Sequence, residues 1–244
     1  IWYVPMSLEY VWNFLIMMTV SIFVILKFQK GRRDFALLFF VTGSITAYFD
    51  FLTTETITLL IPLVLLLTML EEHNELQNFK NGIRTTFFSI LQWGIGYALT
   101  FLSKWTIASI VLQKNCFAQA ISQAEYRIGG ETTEVTYIQE LLGALVQNIS
   151  CLFPFSFLGK SGYGMAILTF FAILIIYYLF KDTKNSCYFS NLMFVIASIP
   201  YFRFLVLGNH SYLHHFFTYR AQMTTILCLW LALNYGIKSL KQRF

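Results

Sequence analysis

The residues able to do proton or phosphate chemistry gather near the ends of three apolar stretches. Tyr48, Asp50 and Glu55 form one group; Arg203, the run Asn209-His210-Ser211-Tyr212-Leu213-His214-His215, and Tyr219-Arg220 form the other. Polar groups at membrane depth are costly and so have a partner or a task. Asp50 closes the run Ala47-Tyr48-Phe49-Asp50-Phe51, whose aromatic rings would partly desolvate the carboxylate. Such an acid can serve as general base, ligate a metal or pair with arginine. The plainer reading is a helix-end carboxylate, solvated or bridged to Arg203. A guanidinium such as Arg203 or Arg220 can clamp a phosphate through two hydrogen bonds, or simply snorkel to headgroups. His210 and His214 share a face at i, i+4 spacing, but no third metal ligand is evident. Interface histidines hydrogen-bonded to backbone or water are the commoner explanation. Asn209-His210-Ser211 and Asn148-Ile149-Ser150 match the N-glycosylation sequon.

These groups need a scaffold, and composition names its class. Of 244 residues, 57% are hydrophobic and only 12% charged, against about 25% charged in an ordinary soluble domain. So few charges cannot cover so much apolar surface in water; lipid must surround most of the outside. The net charge of +5 is therefore assigned to membrane topology rather than to nucleic acid. Cys116, Cys151, Cys187 and Cys228 show no metal-type spacing. Cys116 and Cys151 could pair, or all four could stay free.

A bilayer core needs about 20 largely apolar residues per helix. Seven stretches qualify, roughly 8–27, 35–51, 56–70, 85–103, 162–180, 188–207 and 220–237. The expected architecture is all-α, one polytopic membrane domain over residues 1–244. Pro62 shortens the third stretch, and Pro200 should kink the sixth. Eleven of the 17 basic residues fall in one set of loops, from Lys27, Lys30, Arg32 and Arg33 through Lys80, Arg84, Lys181 and Lys184 to Lys238, Lys241 and Arg243. The positive-inside rule places that set in the cytoplasm, so the N-terminus lies outside and the C-terminus inside. Trp2, Tyr3, Trp105, Tyr163 and Tyr219 then sit near outer interfaces.

The segment 104–161 is too polar to cross. Ile107, Ile110, Val111, Phe117, Ala118, Ile121, Ala124 and Ile128 keep helical spacing, as do Ile138, Leu141, Leu142, Leu145, Val146 and Ile149. Thr136 with Gln139 suits a capping box, and Gly129-Gly130 separates the two helices. They either lie in the outer leaflet or pack on top of the bundle. The acidic run Glu71-Glu72-His73-Asn74-Glu75 falls at the cytoplasmic end and reads as a solvated loop or helix start. No phosphate-binding loop, nucleophile elbow or zinc-protease motif occurs.

Tyr48-Phe49-Asp50-Phe51-Leu52-Thr53, Lys104-Trp105-Thr106-Ile107-Ala108-Ser109 and Asn209 to Arg220, with the long outer segment, resemble bacterial envelope proteins related to the GT-C glycosyltransferases. The resemblance covers most of the chain. It implies transfer of a sugar from a polyprenyl-phosphate donor on the outer membrane face, in cell-envelope glycan assembly. Asp50 would then be the catalytic base. Arg203 and Arg220 would neutralise the leaving phosphate, His210 or His214 would orient a substrate, and Tyr48 would line the site. The resemblance fixes no cofactor, although the acid could hold a divalent cation. GT-C proteins carry an acidic pair in their first outer loop, and no Asp-x-Asp or Glu-x-Asp occurs here. Either that loop belongs to an N-terminal part preceding Ile1, or the likeness is to the fold alone. Two other classes stay open: a transporter or flippase of a lipid-linked or anionic substrate, and a non-enzymatic membrane subunit.

Overall fold

The computed structural model describes residues 3–50, 52–129, 135–152, 163–181 and 188–241. Among them every regular element is helical: α1 (Tyr3–Gln29), α2 (Ala36–Phe49), α3 (Thr56–Glu72), α4 (Phe79–Leu112), α5 (Cys116–Gly129), α6 (Tyr137–Leu152), α7 (Tyr163–Lys181), α8 (Tyr188–Val206), the short α9 (Gly208–Leu213) and α10 (His215–Thr218), a 3-10 turn (Tyr219–Gln222), and α11 (Met223–Lys241). Three helices are long and apolar enough to cross a membrane, by length and composition: Val11–Gln29, Phe79–Leu112 and Tyr188–Val206. Ala36–Phe49 and Ala166–Ile175 are apolar but shorter. Trp2, Phe51, Gly130, Lys160, Lys184, Cys187 and Arg243 lie outside the described residues, as do the side chains of Tyr3, Tyr163, Lys181, Lys238 and Lys241.

One expected boundary is corrected. Helix α4 does not stop at residue 103 but runs unbroken to Leu112. Trp93, Tyr97, Phe101 and Trp105 recur every fourth residue and form a ladder of rings with centroids 4.8, 5.1 and 5.8 Å apart. Side chains at that spacing lie one above the other on a helix. Ile107, Ile110 and Val111 therefore belong to α4, and no single helix spans 107–128. Gln113, left-handed at φ 52°, ends α4. The side chain of Asn115 then accepts from the Ala118 N–H at 3.2 Å and starts α5. Helical periodicity carried across this break because the turn is short. At the start of α6, the Thr136 N–H donates to Gln139 Oε1 at 2.9 Å and the Gln139 N–H to Thr136 Oγ1 at 3.4 Å, the expected reciprocal cap.

Helix α3 sits in the middle of the apolar core. Its Leu60, Leu63, Val64 and Leu67 pack with Val24 of α1, Phe39 of α2, Phe189, Met193 and Ile196 of α8, and Cys228 of α11. Helices α2 and α4 approach so closely that a Cβ on Gly43 would lie 1.9 Å from the Trp93 carbonyl oxygen. A Cβ on Gly96 would lie 2.0 Å from that of Phe40. Small residues allow such contacts where helices associate by van der Waals packing rather than by expelling water. Hydroxyls add cross-links between α8 and α11: Ser190 donates to the Ala232 carbonyl and Thr225 to the Ala197 carbonyl, both at 2.8 Å. The second lies beside Pro200.

The acidic run is exposed from Glu72 to Glu75, as expected, but it ends a helix rather than starting one. Glu71 and Glu72 finish α3; Glu71 accepts from the Tyr188 hydroxyl, and Glu72 from that of Tyr235 at 3.0 Å. Glu75 takes Arg33 at 2.5 Å. This is one end of the bundle. The connection from α2 to α3, with Asp50 and Glu55, is at the other.

Candidate functional site

The site is built around residues 50–55. Helix α2 ends at Phe49, and Asp50 caps it in an extended conformation. Both acids of the connection are buried: Asp50 is 4% exposed and Glu55 5%. Their partners differ in kind.

Asp50 is held by neutral donors only. Asn13 of α1 donates through Nδ2 to Asp50 Oδ1 at 2.6 Å and to Thr54 Oγ1 at 3.0 Å. The Thr53 hydroxyl donates to the same carboxylate oxygen, and the Thr53 N–H to Oδ2 at 3.1 Å. The expected alternative, a bridge from Asp50 to Arg203, does not form, because Arg203 is committed elsewhere.

Arg203 reaches from the last turn of α8 to Glu55, with Nε 2.8 Å from Oε1 and Nη2 3.3 Å from Oε2. The same guanidinium donates to the Leu52 carbonyl at 2.6 Å and to Ser211 Oγ at 3.1 Å. Its five N–H donors thus face three internal partners, which leaves little for a phosphate. Burial pushes the Glu55 carboxyl upward. The Arg203 charge and hydrogen bonds more than offset this and hold it below the usual carboxylate range.

His210 converges on the same loop. Its Nε2 lies 2.8 Å from the Leu52 carbonyl oxygen. Burial, reinforced by the charge of Arg203, pushes the imidazole down to about 4, so it is neutral at pH 7 and Nε2 carries the donated proton. Leu52 stands at φ 65°, a left-handed conformation rare for a leucine and worth about 1–3 kcal/mol of strain. That turn aims its carbonyl at both Arg203 and His210.

The other expected residues are dispersed. The His214 ring lies 4.8 Å from that of His210, and stacks on Phe217 at 5.1 Å. Among the described residues no three His, Cys, Asp or Glu side chains gather as metal ligands. Tyr48 is 63% exposed and its ring faces away, under Lys104 Nζ at 5.0 Å. It does not line the buried cluster, since its helix carries it about 100° around from Ala47, which is fully buried. Arg220 sits in the 3-10 turn over the Tyr219 ring at 5.3 Å and donates to the Phe217 carbonyl at 3.5 Å. Cys116 and Cys151 are both free thiols.

Four residues join the site that sequence reasoning passed over. Asn13 is a lone amide in the apolar run of α1, a signal that was present. The Tyr97 hydroxyl is buried without a hydrogen-bond partner and feels the charges of Glu55, Asp50, Arg203 and Arg127. Arg127, half-buried on α5, also acts on His210 and His214, and no carboxylate among the described residues pairs with it. Glu140 of α6 is 3% exposed with Oε1 unpartnered; burial raises its carboxyl.

Helix α6 docks on this end. An added Cβ on Gly143 would meet the Tyr212 ring at 2.5 Å, and one on Gly208 would meet Leu141 at 2.6 Å. Asn148 donates to the Ser211 carbonyl at 3.0 Å and accepts from Thr218 at 2.7 Å, while its carbonyl takes Gln222 at 2.7 Å. Asn209 donates to the Tyr126 carbonyl at 2.7 Å. Both sequon asparagines are thus internal struts, 0% and 1% exposed. No protein-family model matches the chain, and no curated protein or solved structure matches it.

Proposed function

We propose that this is a seven-span membrane protein that transfers a sugar from a polyprenyl-phosphate donor at the outer end of its bundle. The apolar positions left exposed support a lipid surround: Met18, Ile22 and Phe23 on α1, Ile110 and Val111 on α4, and Ile167, Phe170 and Ile175 on α7. A soluble protein would not carry that much contiguous apolar surface. The short loops rich in Lys and Arg orient Asp50 outward. Helix α5 has no buried residue and exposes Ile121 and Ile128, which suits the outer leaflet, whereas α6 packs on the bundle.

The reading rests on Asp50. It is a buried carboxylate that no cation among the described residues neutralises, because Glu55 has taken the Arg203 guanidinium that contacts the loop. An acid so held is placed to accept the proton of an attacking hydroxyl. Arg127 takes over the leaving-phosphate role expected of Arg203, since Arg203 spends four of its five N–H donors on internal partners. His210, neutral and fixed on Leu52, orients the loop. A divalent cation on Asp50 would need ligands from the substrate or from further chain.

Consumption of polyprenyl-phosphate sugar by membranes carrying the full-length protein tests this. Asp50→Asn should lower turnover by about 10²–10⁴-fold while the protein still folds, the amide being isosteric. Retained turnover removes Asp50 from the mechanism. Movement of the lipid-linked substrate across proteoliposomes without chemical change would replace transfer with transport.

A further inference from the structure

At the end of the bundle opposite Asp50, α1 and α2 leave a groove of about 510 Å³ between them. Its walls are apolar: Phe23 and Leu26 from α1, Leu37 and Val41 from α2. These residues are 54%, 47%, 67% and 41% exposed, so nothing among the described residues covers them. Its mouth carries Lys27, Lys30 and Arg32. Among the described residues no acidic side chain lines it and no carboxylate pairs with those three cations. Asp34, the nearest acid in sequence, turns its carboxylate to the Ala36 N–H at the start of α2.

A second groove, of about 550 Å³, lies on the other side of α2 and shows the contrast. Its Arg33 is already neutralised by Glu75 at 2.5 Å. That groove also holds Arg84, but Glu75 is part of its lining; the α1–α2 groove sets three basic residues at its mouth above a hydrocarbon-like wall, with no acid among its lining residues. The mouth lies 14 residues along α1 from Asn13, which at 1.5 Å per residue is about 21 Å. That places it near the opposite face of a bilayer whose core is about 30 Å thick.

We propose that this groove is a binding site for an anionic phospholipid of the inner leaflet. Lys27, Lys30 and Arg32 hold the phosphate and headgroup, and one acyl chain runs between Phe23, Leu26 and Val41. Charge complementarity selects the lipid over a zwitterionic one, because a cationic mouth gains nothing net from a headgroup carrying its own ammonium. The proposal rests on the membrane-spanning reading and on the orientation given by the basic loops. It is independent of the sugar chemistry.

The full chain, purified in detergent, is incubated with phosphatidylglycerol or phosphatidylcholine, and retained lipid is read by native mass spectrometry. Phosphatidylglycerol should be retained at least about tenfold more than phosphatidylcholine, because the basic mouth favours an anionic headgroup. Lys27→Gln/Lys30→Gln/Arg32→Gln should abolish the preference. Val41→Trp, which fills the groove and leaves the charges, should lower phosphatidylglycerol retention by a similar factor. Lys114→Gln at the far end should change nothing. Equal retention of the two lipids, or a triple variant that keeps the preference, overturns the site. Release of the wild-type chain from membranes by alkaline carbonate would instead overturn the membrane reading itself.

Discussion

The guanidinium of Arg203 lies 2.8 Å from the carboxylate of Glu55, 148 residues earlier in the chain, with only 9% and 6% of the two side chains exposed. This pair joins α8 to the start of α3 and, through the Leu52 carbonyl, fixes the loop that presents Asp50. Its energetics follow from burial. Removing one member strands the other charge in a low-dielectric interior, which costs more than the intact pair contributes.

Arg203→Ala should therefore lower stability by about 3–5 kcal/mol. Arg203→Lys should recover only part of that, since an ammonium cannot make the forked contacts to Glu55, Leu52 and Ser211. The double change Glu55→Leu/Arg203→Leu should cost less than Arg203→Ala alone. Thermal unfolding in detergent orders the three; a double variant less stable than the single one would mean that the pair contributes more than it costs to bury.

Acid should weaken the fold in two stages. An unfolded histidine takes a proton near about pH 6.5, but His210 resists protonation until about 4. Its contribution is thus complete above pH 6.5 and is lost progressively as pH falls from there to 4, because the unfolded chain binds the extra proton. Glu55, held below the usual carboxylate range, adds a loss at still lower pH as it is protonated. His210→Asn should flatten the first stage and leave the second. Unfolding midpoints measured from pH 8 to pH 3 test both; an unchanged slope between 6.5 and 4 in the variant would assign that stage to another group.

Two glycines of α4, two residues apart, should respond oppositely to alanine. Gly96→Ala drives a methyl group onto the Phe40 backbone, 2.0 Å away, and should cost about 1–3 kcal/mol or more, because backbone cannot move aside. At Gly94 an added Cβ meets nothing within 4 Å, so the change should stabilise the helix by about 0.5–1 kcal/mol. Equal effects at both would mean that α2 and α4 are not in close contact.

Asn148 and Asn209 should carry no glycan, even in a host that glycosylates secreted loops. Their amides are consumed by internal carbonyls, and the acceptor nitrogen must be exposed to be modified. A mass shift on enzymatic deglycosylation would contradict the docking of α6 and α9.

Composition and hydropathic spacing were enough to establish an all-helical chain with helices in each apolar stretch, because burying or lipid-solvating that much apolar surface admits few alternatives. The cap at Thr136 and Gln139 was legible too, since a capping box is local in sequence. The break at Gln113 was not. A short turn preserves helical phase, so periodicity alone read α4 and α5 as differently divided segments.

The site divides in the same way. Residue type nominated Asp50, Arg203 and His210, and all three do meet at one loop. Which acid takes the arginine is a matter of distance between segments 148 residues apart, and only packing chose Glu55 over Asp50. Tyr48 looked like a site residue by its neighbours in sequence, yet a helix turns by about 100° per residue and carries it to the outside. Asn13, Tyr97 and Glu140 entered for the converse reason: tertiary contact, not chain proximity, decides which polar groups share a buried environment.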